Sequence, residues 1–258
     1  MITPREAATI MLVKDAPEGG IEVFMLKRNL QLDFVGGAYV FPGGAVDAGD
    51  GQVVKDQSLI IGDDREASAT LGITEGGLRF WVAAVRECFE ESGIMLAKNG
   101  GSTPSEIDGD TERLASLRAQ LNRGEVTFKD ILERESLVVS AADLSYFAHW
   151  ITPEGAPRRY DTRFFIASAP IGQLGEHDNS ETVESTWISP QDALERHHHG
   201  EFELVLPTRK NLEAISRFET ADALFAYLNT DREVVRVAPR MISEGNGSRI
   251  VLPGDPDF

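Results

Sequence analysis

Residues 86–94 read Arg-Glu-Cys-Phe-Glu-Glu-Ser-Gly-Ile, and this stretch decides the fold. At about 100° per residue, Glu87, Glu90 and Glu91 fall on one face of a helix. The apolar residues of the preceding turns fall on the opposite face, so the pattern predicts an amphipathic helix over residues 78–92. Gly93 suits the left-handed position that follows a helix end.

The carboxylate face of this helix has two interpretations. Glutamates on a helix usually form a solvated surface, with Arg86 and Glu90 as an i,i+4 pair. The alternative is a site for a hard cation, because Mg²⁺ is bound by oxygen ligands from a few carboxylates and from substrate phosphates. The spacing alone leaves both open.

A glycine-rich stretch lies upstream. Residues 41–50 read Phe-Pro-Gly-Gly-Ala-Val-Asp-Ala-Gly-Asp. The glycine pair at 43 and 44 predicts a tight turn and a close approach of the backbone to a ligand or ion. An ordinary glycine loop is the alternative interpretation.

Composition excludes several classes of protein. The chain has 258 residues, 41% of them hydrophobic, and a net charge of −17, which argues against a nucleic-acid partner. A phosphate substrate is compatible with this charge if divalent metal neutralises the site. Cys88 is the single cysteine, so an internal disulfide and a cysteine-based zinc site are excluded, and its place on the apolar face predicts burial. No apolar run is long enough to span a bilayer and the N-terminus lacks a signal pattern, so we expect a cytoplasmic protein without a membrane partner.

The remaining elements follow from local patterns. Strands are predicted at 7–14, 21–27, 144–151 and 161–168, with a further strand ending near 188, and helices at 111–122, 127–135, 208–218 and 220–228. A helix should begin at Ser189-Pro190. Residues 51–77 read as an insertion or flexible arm, 97–109 as a linker, and 234–237 with 250–252 as a hairpin.

The two informative stretches together resemble the Nudix box, G-x5-E-x7-R-E-U-x-E-E-x-G-U, in which U is aliphatic. Gly44 matches the first glycine, and residues 86–94 match the second half except for Cys88. Asp50 stands at the usual glutamate, and 35 residues instead of seven separate it from Arg86, an insertion of 28. This split box, together with residues 148–153 and 159–165, resembles the Nudix branch that includes mammalian peroxisomal CoA diphosphatases and bacterial relatives.

The resemblance implies an α/β/α sandwich with a mixed β-sheet and helical insertions at about 51–77 and 97–140. The Nudix domain would cover residues 1–230 and a C-terminal extension residues 231–258. The implied activity is metal-dependent hydrolysis of a nucleoside diphosphate derivative, with CoA or acyl-CoA favoured and ADP-ribose or a nucleotide sugar left open. A non-catalytic nucleotide-binding domain is the alternative of another class, and the retained arginine and glutamates of the box argue against it. A homodimer is common among family members.

The resemblance also assigns residues. Glu90 and Glu91 would bind Mg²⁺ or Mn²⁺, with Glu87 as third ligand or as base and the carbonyl of Gly44 or its neighbour as a further ligand. Arg86 would orient the glutamates. An acidic residue from a later loop often completes such a site, and the best match is Glu181, followed by Glu184.

Three arginines are candidates for binding the substrate. Arg28 ends a segment, 24–28, that together with 40–44 loosely resembles the additional CoA signature of the branch. Arg159 and Arg163 belong to the main basic cluster, which is either strand-edge charge or a set of phosphate contacts.

Overall fold

The computed structural model describes residues 2–31, 36–100, 111–244 and 247–258. Strand β1 (Arg5–Asp15) lies inside its main mixed sheet. It pairs in parallel with β9 (Tyr160–Ser168) over nine residues and antiparallel with β2 (Ile21–Arg28). The strand is almost continuously apolar from residue 7 to residue 13, as expected for a strand that is covered on both faces.

Eight strands of the described chain form the main sheet, in the order β10-β2-β1-β9-β8-β11 with β3 on β2 and β4 on β1. The further strands are β3 (Tyr39–Val40), β4 (Gly43–Ala45), β8 (Ser145–Ile151), β10 (Thr182–Ile188) and β11 (Arg236–Val237). A small second sheet contains β5 (Ile60–Ile61), β6 (Lys98–Asn99) and β7 (Leu137–Ser140), and a separate hairpin contains β12 (Arg240–Glu244) and β13 (Gly247–Val251).

Helices cover both faces of the main sheet. One buried apolar cluster joins it to α1 (Ala48–Lys55), α2 (Asp64–Leu71), α3 (Leu78–Ser92), α4 (Thr111–Asn122) and α5 (Phe128–Glu135). A second cluster joins the other face to α6 (Pro190–His198), α7 (Leu206–Ile215) and α8 (Ala221–Leu228). The predicted α/β/α sandwich with a mixed sheet is confirmed. No helix in the described ranges is long and apolar enough to cross a membrane.

Helix α3 spans the predicted residues, with Cys88 fully buried. Other predictions need correction. Residues 51–77 are not a flexible arm, because α1, β5 and α2 lie there and contribute Val53, Leu59 and other side chains to the core. Most of the predicted linker at 97–109 lies outside the described residues.

The tail also differs from its prediction. The segment at 236–237 does not pair with residues near 250 but adds β11 in parallel to β8, while β12 and β13 pair with each other. The division at residue 230 stays a prediction.

Candidate active site

Helix α3 brings its three glutamates to one pocket of about 720 Å³. The helix ends as predicted, with Gly93 at a φ of 73° and its N–H donating to the carbonyl of Phe89. Glu91 is only 7% exposed, and its Oε2 accepts the backbone N–H of Gly43 at 2.9 Å. The carboxylate face therefore lines a pocket and is not an ordinary solvated helix surface.

Arg86 connects the glutamates of α3 to Asp50 of α1 through hydrogen bonds. Its Nη1 donates to Glu87 Oε1 at 2.8 Å and to Glu90 Oε2 at 3.1 Å. On the other side, Nε and Nη2 donate to the two oxygens of Asp50 at 2.8 and 3.0 Å. Because the guanidinium is 8% exposed and Asp50 is 1% exposed, this is a buried network and not the ordinary surface pair that spacing suggested.

Asp50 reaches Arg86 because α1 begins in a fixed conformation. Asp50 is the third helical residue, and its side chain accepts the backbone N–H of Asp47 at 2.8 Å while Asp47 caps the helix in return. The two carboxylates form a capping box, which fixes the first turn. The aspartate at the usual glutamate position thus still forms a two-bond contact with the guanidinium.

The glycine pair lies in a strand and not in the predicted tight turn. Gly43 and Gly44 belong to β4 and pair with Thr9 and Ala8 of β1. A Cβ on Gly44 would stand 2.5 Å from Glu87 Oε1. A side chain at this position would displace the carboxylate of Glu87, because the backbone of β4 lies directly against it.

The structure distinguishes the two later acidic candidates. Glu181 lines the same pocket as the α3 glutamates. Its backbone is held by Asp178, which accepts the N–H groups of Glu181 at 3.1 Å and Thr182 at 2.8 Å. Glu184 is instead bound to the hydroxyl of Tyr39 at 2.8 Å and pairs with Lys27.

The three candidate arginines are not brought together. Arg28 lines the pocket, and its buried Nε has no hydrogen-bond partner among the described residues. Arg159 lies outside the pocket and donates to the carbonyls of Thr152 and Ile2. Arg163 also lies outside it, paired with Asp161 at 2.6 Å. Their placement gives no support to a substrate-binding role for Arg159 or Arg163.

Strand alternation explains this outcome. Side chains on β9 point alternately to opposite faces, so Tyr160, Thr162 and Phe164 line the pocket while Arg163 packs over the ring of Phe80 on the other face. Arg158 has the same parity as the pocket-lining residues and does line it. Within the basic cluster, Arg158 faces the pocket and Arg163 faces away from it.

Burial and crowding raise the pKa of the clustered carboxyls. Burial raises the pKa of Glu87 to about 7, and Glu90 and Asp50 add to this while Arg86 opposes it. Burial, and then the charge of Glu87, raise the pKa of Glu91 well above its ordinary value. The pKa of Glu90 is also raised by burial, against the charge of Arg86.

These residues suit a divalent cation by their chemistry. The set consists of carboxylate oxygens that destabilise one another when ionised, and bound positive charge relieves that repulsion. Within the described ranges, no three acidic, histidine or cysteine side chains already converge on a single point. Glu87 and Glu90 are turned towards Arg86, so a cation would compete with the guanidinium for them.

Arg118 supports the site from α4, a helix to which the sequence assigned no chemistry. Its Nε donates to the carbonyl of Glu90 at 2.9 Å and its Nη2 to the carbonyl of Glu91 at 2.6 Å. The last carbonyls of a helix lack partners within the helix, and a cation there also complements the helix dipole. Arg118 therefore fixes the turn that carries two of the three glutamates. Its position in a leucine-patterned helix gave no signal of this role.

The sheet covered by helices on both faces, the α3 glutamates and the glycine strand define a Nudix hydrolase. In agreement, the crystal structure of a NUDIX hydrolase from Alicyclobacillus acidocaldarius matches with a TM-score of 0.74 and 26% identity, covering 88% of this chain and 97% of that one. Nudix hydrolases generally use divalent metal ions.

Residues 54–215 match the NUDT19 Nudix domain, and the chain belongs to that family. A putative nudix hydrolase 7 of Caenorhabditis elegans is 28% identical, covering 97% of this chain and 73% of that protein. The acyl-coenzyme A diphosphatases NUDT19 of Gallus gallus and Homo sapiens are 27% and 26% identical. These alignments cover 97% and 93% of this chain, and 79% and 72% of the respective relatives.

Proposed function

We propose that this Nudix hydrolase cleaves the diphosphate bridge of CoA or acyl-CoA with Mg²⁺ or Mn²⁺ bound at the carboxylates of α3. The observation that carries the proposal is the pocket in which Glu87, Glu90, Glu91 and Glu181 meet the backbone of Gly44 and the side chain of Arg28. The relatives named acyl-coenzyme A diphosphatase support the choice of substrate.

Glu90, Glu91 and Glu181 are the proposed side-chain ligands of the metal, with the carbonyl of Gly44 as a further donor. When bound, a divalent cation neutralises the non-bridging phosphate oxygens and lowers the pKa of a water molecule. Arg86 orients the carboxylates of Glu87 and Glu90 through its hydrogen bonds to them.

Glu87 is the proposed base. In the metal-free protein, burial raises its pKa to about 7, and a base with a pKa near neutrality transfers protons efficiently at neutral pH. The carboxylate of Glu87 lies against the backbone of Gly44, and both residues line the pocket. It would accept the proton of the attacking water, which forms a bond to one phosphorus while the other phosphate leaves.

Arg28 is the proposed contact for the diphosphate. Arg28 lines the pocket at the end of β2, and its buried Nε has no hydrogen-bond partner among the described residues. A buried donor without a partner costs free energy, and a phosphate oxygen would satisfy it with a charge-assisted hydrogen bond.

A substrate panel tests this proposal. CoA, acetyl-CoA, ADP-ribose, NADH and diadenosine tetraphosphate are incubated with the purified protein and Mg²⁺ or Mn²⁺, and the products are identified by mass. The expected products from CoA are 4′-phosphopantetheine and adenosine 3′,5′-bisphosphate. Cleavage of ADP-ribose or NADH without cleavage of either CoA compound would overturn the substrate assignment.

A further inference from the structure

The active-site pocket continues beyond the carboxylates into an apolar end. Trp150 of β8 and the first turn of α7 contribute to it, and the C-terminal hairpin adds Met241 and Ile250. These two residues face each other across the β12–β13 pair. They are 42% and 47% exposed, so the hairpin presents a pair of large apolar side chains that the protein itself leaves half uncovered.

A row of side chains connects the two ends of the pocket. Strand pairing places Ala45 opposite Ala7, Ala7 opposite Thr162, and Thr162 opposite Trp150. All four line the pocket, and the first three are small. They form the floor of a trough that runs across β4, β1, β9 and β8. One more strand, β11, pairs with β8 beyond this floor and precedes the hairpin in the chain.

The length of the trough can be compared with that of the substrate. Neighbouring strands lie about 4.8 Å apart, so four steps from β4 to β11 cover roughly 19 Å. The pantetheine arm has thirteen bonds from its phosphorus to its sulfur, and at the spacing of an extended chain it reaches roughly 16 Å. A diphosphate held at Glu87 and Gly44 would thus bring the thiol close to Trp150 and the hairpin.

We infer that the C-terminal hairpin is the acyl-binding wall of this enzyme, with Met241 and Ile250 contacting the chain on the thioester. The inference rests on the proposed function and adds a preference within it. Free CoA leaves the hairpin unused, whereas a medium acyl chain covers the apolar pair and removes both surfaces from water. The tail beyond residue 230 therefore belongs to the substrate site.

Steady-state kinetics with CoA, acetyl-CoA, hexanoyl-CoA and octanoyl-CoA test the inference. Each buried methylene adds to binding, and for a half-open wall we expect the wild-type kcat/KM to rise at least about tenfold from acetyl-CoA to octanoyl-CoA, mainly through KM. The Met241→Ser/Ile250→Ser double variant should lose this rise, so that its kcat/KM for octanoyl-CoA lies within about threefold of its kcat/KM for acetyl-CoA. Both side chains are half exposed, so the fold should tolerate the change, and circular dichroism checks this.

Val235→Ser is the matched control, because Val235 lies in the same tail, is 65% exposed and does not line the pocket. It should retain the wild-type dependence on chain length. An equal rate on all acyl lengths in the wild type, or an unchanged rise in the double variant, would overturn the assignment of the hairpin while leaving CoA hydrolysis intact. Failure to cleave any CoA compound would instead overturn the proposed function.

Discussion

Replacing Asp50 by Asn tests the buried network beneath the active site. The substitution keeps the shape of the side chain and removes the charge that faces Arg86. The two hydrogen bonds, at 2.8 and 3.0 Å, lie in a position where the guanidinium is 8% exposed and the carboxylate 1% exposed. Among the described residues, the variant leaves Arg86 with Glu87 and Glu90 as close carboxylate partners and with the more distant Asp47 at 3.8 Å.

Breaking a buried ion pair by removing one partner typically costs about 3–5 kcal/mol. Because two glutamates remain beside Arg86, we expect the lower end, about 3 kcal/mol. For a chain of this size that corresponds to a fall in Tm of roughly 6–12 °C. The freed donors of Arg86 should also hold Glu87 and Glu90 more tightly, and loss of such a supporting contact weakens metal affinity about 10–100-fold.

Two measurements follow the variant. Urea denaturation of the metal-free protein gives the free energy of unfolding, and calorimetric titration with Mn²⁺ gives the Kd. Glu125→Ala is the control, because the Arg123–Glu125 pair is as short at 2.6 Å but both partners are more than half exposed, and we expect no measurable change in stability. An Asp50→Asn protein with wild-type stability and wild-type Mn²⁺ affinity would refute the role given to this network.

Three further predictions concern the same site. Gly44→Ala should lower kcat at least about tenfold, because its Cβ would stand 2.5 Å from Glu87 Oε1 and displace the carboxylate. The control Gly51→Ala should keep the wild-type kcat, because a Cβ there meets nothing within 4 Å. Equal kcat values for the two variants would contradict the close approach of Gly44 to Glu87. Arg118→Ala should cost about 1–2 kcal/mol in urea denaturation, because the carbonyl of Glu91 loses the Arg118 donor and that of Glu90 keeps the weaker bond from Asn122 Nδ2 at 3.2 Å. Arg123→Ala should leave the denaturation midpoint unchanged. The metal-free protein should lose stability as the pH rises from 4.5 to about 7. The unfolded chain releases the proton of Glu87 at the ordinary pKa of 4.5, whereas the folded protein holds it up to a pKa of about 7. This difference corresponds to a loss of folding free energy on the order of 3 kcal/mol. Melting curves should therefore show more stabilisation by millimolar Mg²⁺ at pH 7.5 than at pH 5, and equal stabilisation at both pH values would argue against it.

Helix α3 was predictable because the sequence patterns that indicate it are local. The apolar and acidic residues of α3 repeat with helical spacing, and Gly93 adopts the left-handed conformation expected at the end. The contact between Asp50 and Arg86 was not, since the residues are 36 positions apart and only the folded α1 brings them together.

The sequence also did not predict which strand side chains face the pocket or which strands pair over long distances. The residue pattern of β9 predicted a strand but not which of its alternating side chains face the pocket. Arg163 was therefore a candidate for substrate binding, although Arg158 lines the pocket and Arg163 does not. The same limit applies to the tail, where β11 pairs with β8, a strand about 85 residues earlier, and no turn signal indicates such a partner. Long-range pairing and burial decided both outcomes.

The central claim is that the α3 carboxylates support metal-dependent cleavage of CoA, and one comparison tests it most directly. Release of adenosine 3′,5′-bisphosphate from CoA with Mg²⁺ is measured for wild type, Glu90→Gln and the control Glu195→Gln, whose exposed side chain lies on α6. We predict that wild type and control cleave at equal rates and that Glu90→Gln is slower by at least about a hundredfold. Equal rates in all three proteins would contradict the claim.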